Sequence, residues 1–407
     1  MTDQQMGLDN LAIFGGQSSF EEPLHVGRPN IGDRENLLQR MNDMLERRWL
    51  SNHGPYVQEL EAAISQKLGV KHCIAVCNAT VGLDIVARAA GLSGEVIVPS
   101  FTFIATAHAL QWQHITPVFC DVDPETHNLA PDAVERLITP QTSGILGVHV
   151  WGRPCAVDEL QAIATKHNLK LIFDAAHAFG CSHQGRMIGN FGDAEVFSFH
   201  ATKFFNTFEG GAITTNDDEL AERIRLMTNF GFAGYDNVMY LGTNGKMNEA
   251  CAAMGLTGLE SIGRFVDINL RNYKVYQSEF ASIPGVKMVD YNEAERNNYQ
   301  YIVVEVDEAV TQISREMLVE ILHYENVLVR RYFYPGCHQM EPYRTYYPDS
   351  DVRLPETNQL TKKCLAFPTG TAVSEKAIQK VCGLIRLVIA NAADVKTRLA
   401  QTRSTNH

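Results

Sequence analysis

Apolar positions along the chain fall into two kinds of run. Over residues 35–48, Leu37, Leu38, Met41, Met44 and Leu45 recur at helical spacing, until Trp49 to Pro55 interrupts them. A second helix is predicted over 56–68, with Gly69 placed as its C-terminal cap. Residues 73–77 read as a strand. Asn78 then stands as N-cap of a helix over 79–90 that Gly91 stops. Beyond it, short apolar runs and helical stretches take turns. Strands are predicted at 96–99, 117–120, 144–150 and 169–174, and helices at 104–113, 132–137 and 157–167. This alternation predicts an α/β fold: a mostly parallel, mixed sheet flanked by helices, with its site beyond the carboxyl ends of the strands.

The pattern changes toward the C-terminus. Residues 248–282 have long helical character and read as a link between two units. Residues 301–306 alternate as a half-buried strand, 316–324 read as a helix and 327–329 as a strand. A last helix is predicted over 375–391, with Ser374 placed to cap it. The division expected is an N-terminal arm (1–30), a large domain (31–272) and a smaller C-terminal α+β domain (273–407). Residues 1–20 are polar and contain Gly and Ser, so they are expected to be loose. No internal repeat or low-complexity segment interrupts the chain.

One stretch carries more chemistry than the rest. The apolar strand 171–174 ends in Asp174. The strand 196–199 runs into His200-Ala201-Thr202-Lys203, and Glu209-Gly210-Gly211 leads into a further strand at 212–215. A lysine between two strands has no solvated helix face to occupy. It sits at a turn, where side chains tend to be presented to a site. A strand-end carboxylate and a turn lysine suit pyridoxal 5′-phosphate: the carboxylate holds the pyridine nitrogen and the lysine forms a Schiff base to the aldehyde. Taken singly, Lys203 could be a surface lysine, Asp174 a helix N-cap and Gly210-Gly211 a plain turn. Their combination is what points to the cofactor.

Composition narrows the partners. The 407 residues suffice for two domains and a large core. A net charge of −12 argues against nucleic acid, which calls for a basic stripe, but leaves room for a local basic pocket. The nine cysteines are scattered without a CxxC pair and read as reduced core thiols. The histidines show no HExxH or other ligand spacing, so no metal is expected. No signal peptide and no bilayer-length apolar run are visible, so the expectation is a cytoplasmic protein without a membrane partner.

With these residues in view, the chain resembles the pyridoxal-phosphate-dependent sugar aminotransferases of fold type I, the DegT family. The likeness runs over residues 49–368, in SNHGPYVQELE, NATVGLDIVARA, VIVPSFTFIATAHAL, PVFCDVDPETHNLAP, VHVWGRP, FDAAHAFG, GDAEVFSFHATKFFNTFEGGAITTND and TNGKMNE. The form FSFHATKFFNTFEGG is most similar to the 4-ketosugar branch. The resemblance implies that Lys203 holds the cofactor, Asp174 contacts the pyridinium and Phe103 stacks on the ring. It implies that Ala79, Thr80 and Ser198 bind the phosphate, with Asn244 reaching it from the neighbouring subunit of a homodimer. Asn244 has the alternative of a plain turn residue, and Thr80 that of a helix-start residue satisfying its own backbone. Two departures stand out: Asn78-Ala79-Thr80 replaces a more usual Ser-Gly-Thr, and His177 stands where glutamine is common beside the cofactor hydroxyl. The sugar dehydratase branch replaces the lysine by histidine, so Lys203 favours amino transfer.

The activity implied is ping-pong transfer, within deoxyamino-sugar biosynthesis, from an amino acid, L-glutamate, to a nucleotide-linked 4-keto-6-deoxy sugar. Arg330 and Arg331 are candidates for the diphosphate, or a solvated strand edge. His338 is a candidate substrate contact, or a loop-satisfying residue. Glu209 could shape the substrate pocket, or only hold its turn. The alternatives are a 3-ketosugar enzyme of the same family and a regulatory protein that binds the cofactor without turnover.

Overall fold

The structure, a computed structural model, describes residues 7–405. Seven strands form one sheet in the order His72–Val76, Gly211–Thr215, Ala194–Ser198, Lys170–Asp174, Thr142–Val148, Glu95–Pro99, Thr116–Cys120. Gly211–Thr215 runs antiparallel to both its neighbours, and every other pairing is parallel. Side chains alternate between the two faces. Val96, Val98 and Ile172 pack with Leu83 and Val86 of the helix Ala79–Ala89. Ile97, Leu171 and Phe173 pack with Leu160 of the helix Val157–His167 on the other face. Both faces are therefore covered, which is why these strands read as unbroken apolar runs.

The caps expected from sequence form. Asn78 Oδ1 accepts from the Val81 N–H at 2.9 Å, and Gly69 takes the left-handed conformation (φ 65°) after Pro55–Leu68. Two consecutive helices, Glu249–Glu260 and Ile262–Phe280, lead to the C-terminal part. There Ile302–Val306 is the middle strand of a three-stranded antiparallel sheet, between Val286–Met288 and Cys364–Phe367. It was expected to be half-buried, but all of it except Glu305 is buried. Ile302, Val304 and Val306 face a helical layer, while Val303 joins Tyr301, Trp151 and Phe333 on the side of the site.

The N-terminal arm also departs from expectation. Residues 1–6 lie outside the described residues, but from Gly7 onward the chain is anchored. Leu8, Leu11 and Ile13 are buried in the same cluster as Tyr276, Ile321 and Ile385 of the C-terminal part. The buried Glu325 carboxylate accepts from the N–H groups of Ala12 and Ser19, both at 2.7 Å, and Leu24–His25 pairs in parallel with Val327–Leu328. Three apolar side chains and satisfied backbone donors outweigh the polar look of the segment. No described helix is long and apolar enough to cross a membrane.

Candidate active site

Three of the predicted residues meet at the carboxyl ends of adjacent strands. Asp174 ends Lys170–Asp174, Ser198 ends Ala194–Ser198, and Lys203 lies in the turn that follows, its N–H bonded to the His200 carbonyl at 2.8 Å. Asp174 is only 5% exposed. One carboxylate oxygen accepts from the Ala176 N–H at 3.0 Å and the other from the Thr106 hydroxyl at 2.9 Å. Residues after Asp174 form a turn, so it is not the N-cap of a helix. Burial raises the carboxyl pKa, opposed by the Ala176 N–H, the Thr106 hydroxyl and then Lys203. The carboxylate keeps lone pairs for a further donor, and a protonated ring nitrogen is such a donor.

Lys203 has the complementary perturbation. Burial lowers its pKa to about 8, and Tyr332 and then Asp174 pull it back toward the charged form. Its Nζ donates to the Tyr301 hydroxyl at 3.2 Å. His177 is buried beside them. Its Nδ1 accepts from the Trp151 N–H at 3.2 Å, and burial, with Lys203 second, pushes its pKa well below the usual range. A neutral imidazole whose Nδ1 accepts carries its proton on Nε2. It therefore presents an N–H, the same capability a glutamine amide would offer in that place.

The phosphate-binding candidates lie at the start of Ala79–Ala89. Asn78 satisfies the Val81 N–H, while the N–H groups of Ala79 and Thr80 are first-turn donors with no intrahelical carbonyl. The helix dipole adds to their pull on an anion. Gly211 borders this point: a Cβ there would sit 2.6 Å from the Phe197 carbonyl oxygen and 3.0 Å from the Ala79 nitrogen. Only a glycine leaves the strand that close to the helix start. Ser198 is half-buried, its hydroxyl accepting from the His200 N–H at 3.4 Å. Phe103 precedes the helix Ile104–Gln111 and is 59% exposed, whereas Phe101 is wholly buried. Of the two aromatics in this stretch, Phe103 is the one with a ring left to cover a ligand.

The remaining candidates lie further out. Glu209 is exposed and pairs with His200 Nε2 at 3.4 Å. Arg330 is exposed, its backbone bonded both ways to Ala366, and Arg331 lies over the Tyr334 ring at 5.0 Å. His338 is not brought into the open site. It is 2% exposed, its Nδ1 is 2.7 Å from the Ser100 hydroxyl, and its Nε2 is bonded to Asn358 at 3.1 Å. Both ring nitrogens are engaged, which fits the loop-holding alternative. Asn244 is exposed and bridges Asn229. Its neighbour Gly245 accepts from the Cys77 N–H at 2.7 Å, so this segment lies beside its own chain's helix start despite the separation in sequence. Sequence reasoning passed over Thr106, Trp151, Tyr301 and Tyr332. Thr106 lies one helical turn from Phe103 within a recognised stretch, a signal that was available.

Buried carboxylate, pKa-depressed turn lysine and free helix-start donors, set at one end of this sheet, define a pyridoxal-phosphate enzyme of fold type I. Comparison with known proteins then places it further. The DegT/DnrJ/EryC1/StrS aminotransferase family matches residues 32–386. A dTDP-4-amino-4,6-dideoxy-D-glucose transaminase of Shigella dysenteriae is 36% identical over 90% of this chain and 99% of its own. A GDP-perosamine synthase of Caulobacter vibrioides is 33% identical over 90% and 98%. The solved structure of DesI with its TDP-sugar product superposes with a TM-score of 0.91 at 49% identity, covering 97% of this chain and all of that one. The chain belongs to the DegT/DnrJ/EryC1/StrS family and is a pyridoxal 5′-phosphate-dependent aminotransferase.

Proposed function

We propose that the protein transfers an amino group from an amino acid, L-glutamate, to the 4-position of a nucleotide-linked 4-keto-6-deoxy sugar, in two half-reactions, as a cytoplasmic homodimer. The observation that carries the transfer chemistry is the pairing of buried Asp174 with pKa-depressed Lys203 at one strand-end site. The 4-position is supported by the likeness to a transaminase named for a 4-amino-4,6-dideoxy sugar, and the nucleotide-linked sugar also by the likeness to DesI, solved with its TDP-sugar product. When bound, the cofactor supplies an aldehyde to attach nitrogen and a ring to accept electrons. Lys203 is the residue that would hold it covalently, and Asp174 the one that keeps its ring nitrogen protonated. Ala79, Thr80 and Ser198 would hold its phosphate, and His177 would offer Nε2–H to its hydroxyl.

Released from attachment, Lys203 is placed to take a proton from the carbon bearing nitrogen and to return it. With a pKa of about 8, about a tenth of it is the free base at pH 7, against well under a thousandth for an ordinary lysine. Arg330 and Arg331 are exposed cations available to a diphosphate. The test is single turnover of the amino-loaded protein against a panel of 3-keto and 4-keto nucleotide sugars, with a parallel panel of amino donors. Turnover confined to 3-keto sugars refutes the positional reading, and failure to be loaded by glutamate refutes the donor.

A further inference from the structure

Lys203 and Tyr301 come from different parts of the fold. Lys203 follows a strand of the large sheet, and Tyr301 immediately precedes the middle strand of the C-terminal one. Their side chains nevertheless meet, with Nζ 3.2 Å from the tyrosine oxygen and 5.7 Å from the ring centre. Tyr301 is held firmly for this contact. It is 8% exposed, and its ring lies 4.4 Å from His177, 5.5 Å edge-on to Trp151 and 6.1 Å from Tyr332. Its carbonyl accepts from the Tyr291 hydroxyl at 2.9 Å. Burial holds the Tyr301 phenol far above its usual pKa, so it stays protonated. A neutral hydroxyl can accept from an ammonium and donate to a free amine. It can therefore keep the lysine nitrogen in place in either state.

We propose that Tyr301 is a positioning residue for Lys203, its hydroxyl fixing the ε-amino group at the cofactor site whenever that nitrogen carries no covalent partner. The inference rests on Lys203 being the attachment lysine. It adds a tether from the C-terminal sheet to the reacting nitrogen of the large one. The other titratable groups facing that nitrogen are Asp174, His177 and Tyr332. Asp174 and Tyr332 favour the ammonium, and His177 is neutral.

The test uses cofactor-free protein. The pH dependence of Lys203 labelling by trinitrobenzenesulfonate is read by peptide mapping, with Lys203→Ala as background. Tyr301→Phe keeps the ring and its packing and removes only the oxygen. Of the two bonds the hydroxyl can make, the one from the charged ammonium is the stronger, so without the oxygen the Lys203 midpoint should fall by about one unit from about 8. Tyr291→Phe loosens the backbone support of Tyr301 without removing the contact, and should leave the midpoint in place. An unchanged midpoint in Tyr301→Phe, or the same shift in both variants, overturns the proposal. Whether Lys203 is the attachment lysine is settled separately, by borohydride reduction of the cofactor-loaded parent. A failed attachment reading is thus distinguishable from a failed tether.

Discussion

Replacing Asp174 by Asn changes one buried charge and almost no volume, so it isolates an electrostatic role. The amide oxygen can keep the Ala176 N–H, now at 3.0 Å from Oδ1. The new NH2 would face Thr106, whose hydroxyl can turn to accept while giving its proton to Thr102, 3.0 Å away. Without cofactor, the carboxylate destabilises the fold, because burial raises its pKa more than its partners lower it. A carboxyl raised in the folded state contributes most favourably below its unfolded pKa of about 3.9, and that contribution is lost as pH climbs through the folded value. The cofactor-free Asn variant should therefore melt above the parent near neutral pH, and the gap should close in acid. With cofactor the order reverses. The protonated ring loses a charged acceptor, a hydrogen bond of about 1.5–3 kcal/mol. Felt in the transition state, that is a loss on the order of ten- to a hundredfold in kcat/KM. Thermal melts with and without pyridoxal phosphate, and steady-state transfer at saturating cofactor, measure both. Equal stabilisation of variant and parent by the cofactor, together with unchanged kcat/KM, would refute the role given to Asp174.

Lys203→Ala should abolish covalent capture of the cofactor and multiple turnover; borohydride label found on another lysine of the parent would sink the assignment. Leu11→Ala should cost about 2–5 kcal/mol in a single cooperative urea transition, since Leu11 is wholly buried against the C-terminal cluster. An unchanged midpoint would mean that the arm is as loose as its composition suggests. For the homodimer, mixing Lys203→Ala with Asn244→Asp, each inactive alone, should restore activity after subunit exchange. One site of the mixed dimer then carries both lesions and the other neither; no recovery despite confirmed exchange refutes a shared site.

What the sequence made legible follows from how each signal is encoded. The helix Val157–His167 and the strands of the parallel sheet were readable because periodicity and burial are local properties of a run. The places of Asp174 and Lys203 were readable because a strand end or a tight turn fixes where a residue lies in the fold. The helix Pro355–Lys363 was not anticipated, since its apolar face is little more than Leu360 among polar neighbours. The arm was misjudged because Leu8, Leu11 and Ile13 are too few to show a period, although each finds a buried place. Tyr301 read only as the start of an alternating strand. Its meaning depends on a contact between residues 98 apart in the chain. His338 shows the converse, since a histidine beside an aromatic loop suggests a ligand until Ser100 and Asn358 take up both nitrogens.

The segment carrying Asn244 joins two facts that sequence separation alone had blurred. Its base is pinned to its own chain: Asn229 bridges Asn244, Gly245 binds the Cys77 N–H, and Lys246 Nζ donates to Asn229 Oδ1 at 2.7 Å and lies over the Phe230 ring. Distance from the phosphate-binding helix is therefore no reason to assign Asn244 to a neighbouring subunit. The better support lies in the rest of the loop. Phe230, Phe232, Tyr235, Val238, Met239 and Leu241 are all exposed, Leu241 at 71%. Apolar side chains gathered on one exposed loop mark a surface that a partner could cover. A second copy of this chain is the partner that the homodimer reading supplies, and its arrival would bury these side chains. Asn244 would then serve either the helix start beside it in its own chain or that of the partner. The mixing experiment separates these two placements because they predict opposite outcomes, and neither outcome depends on which sugar is the substrate.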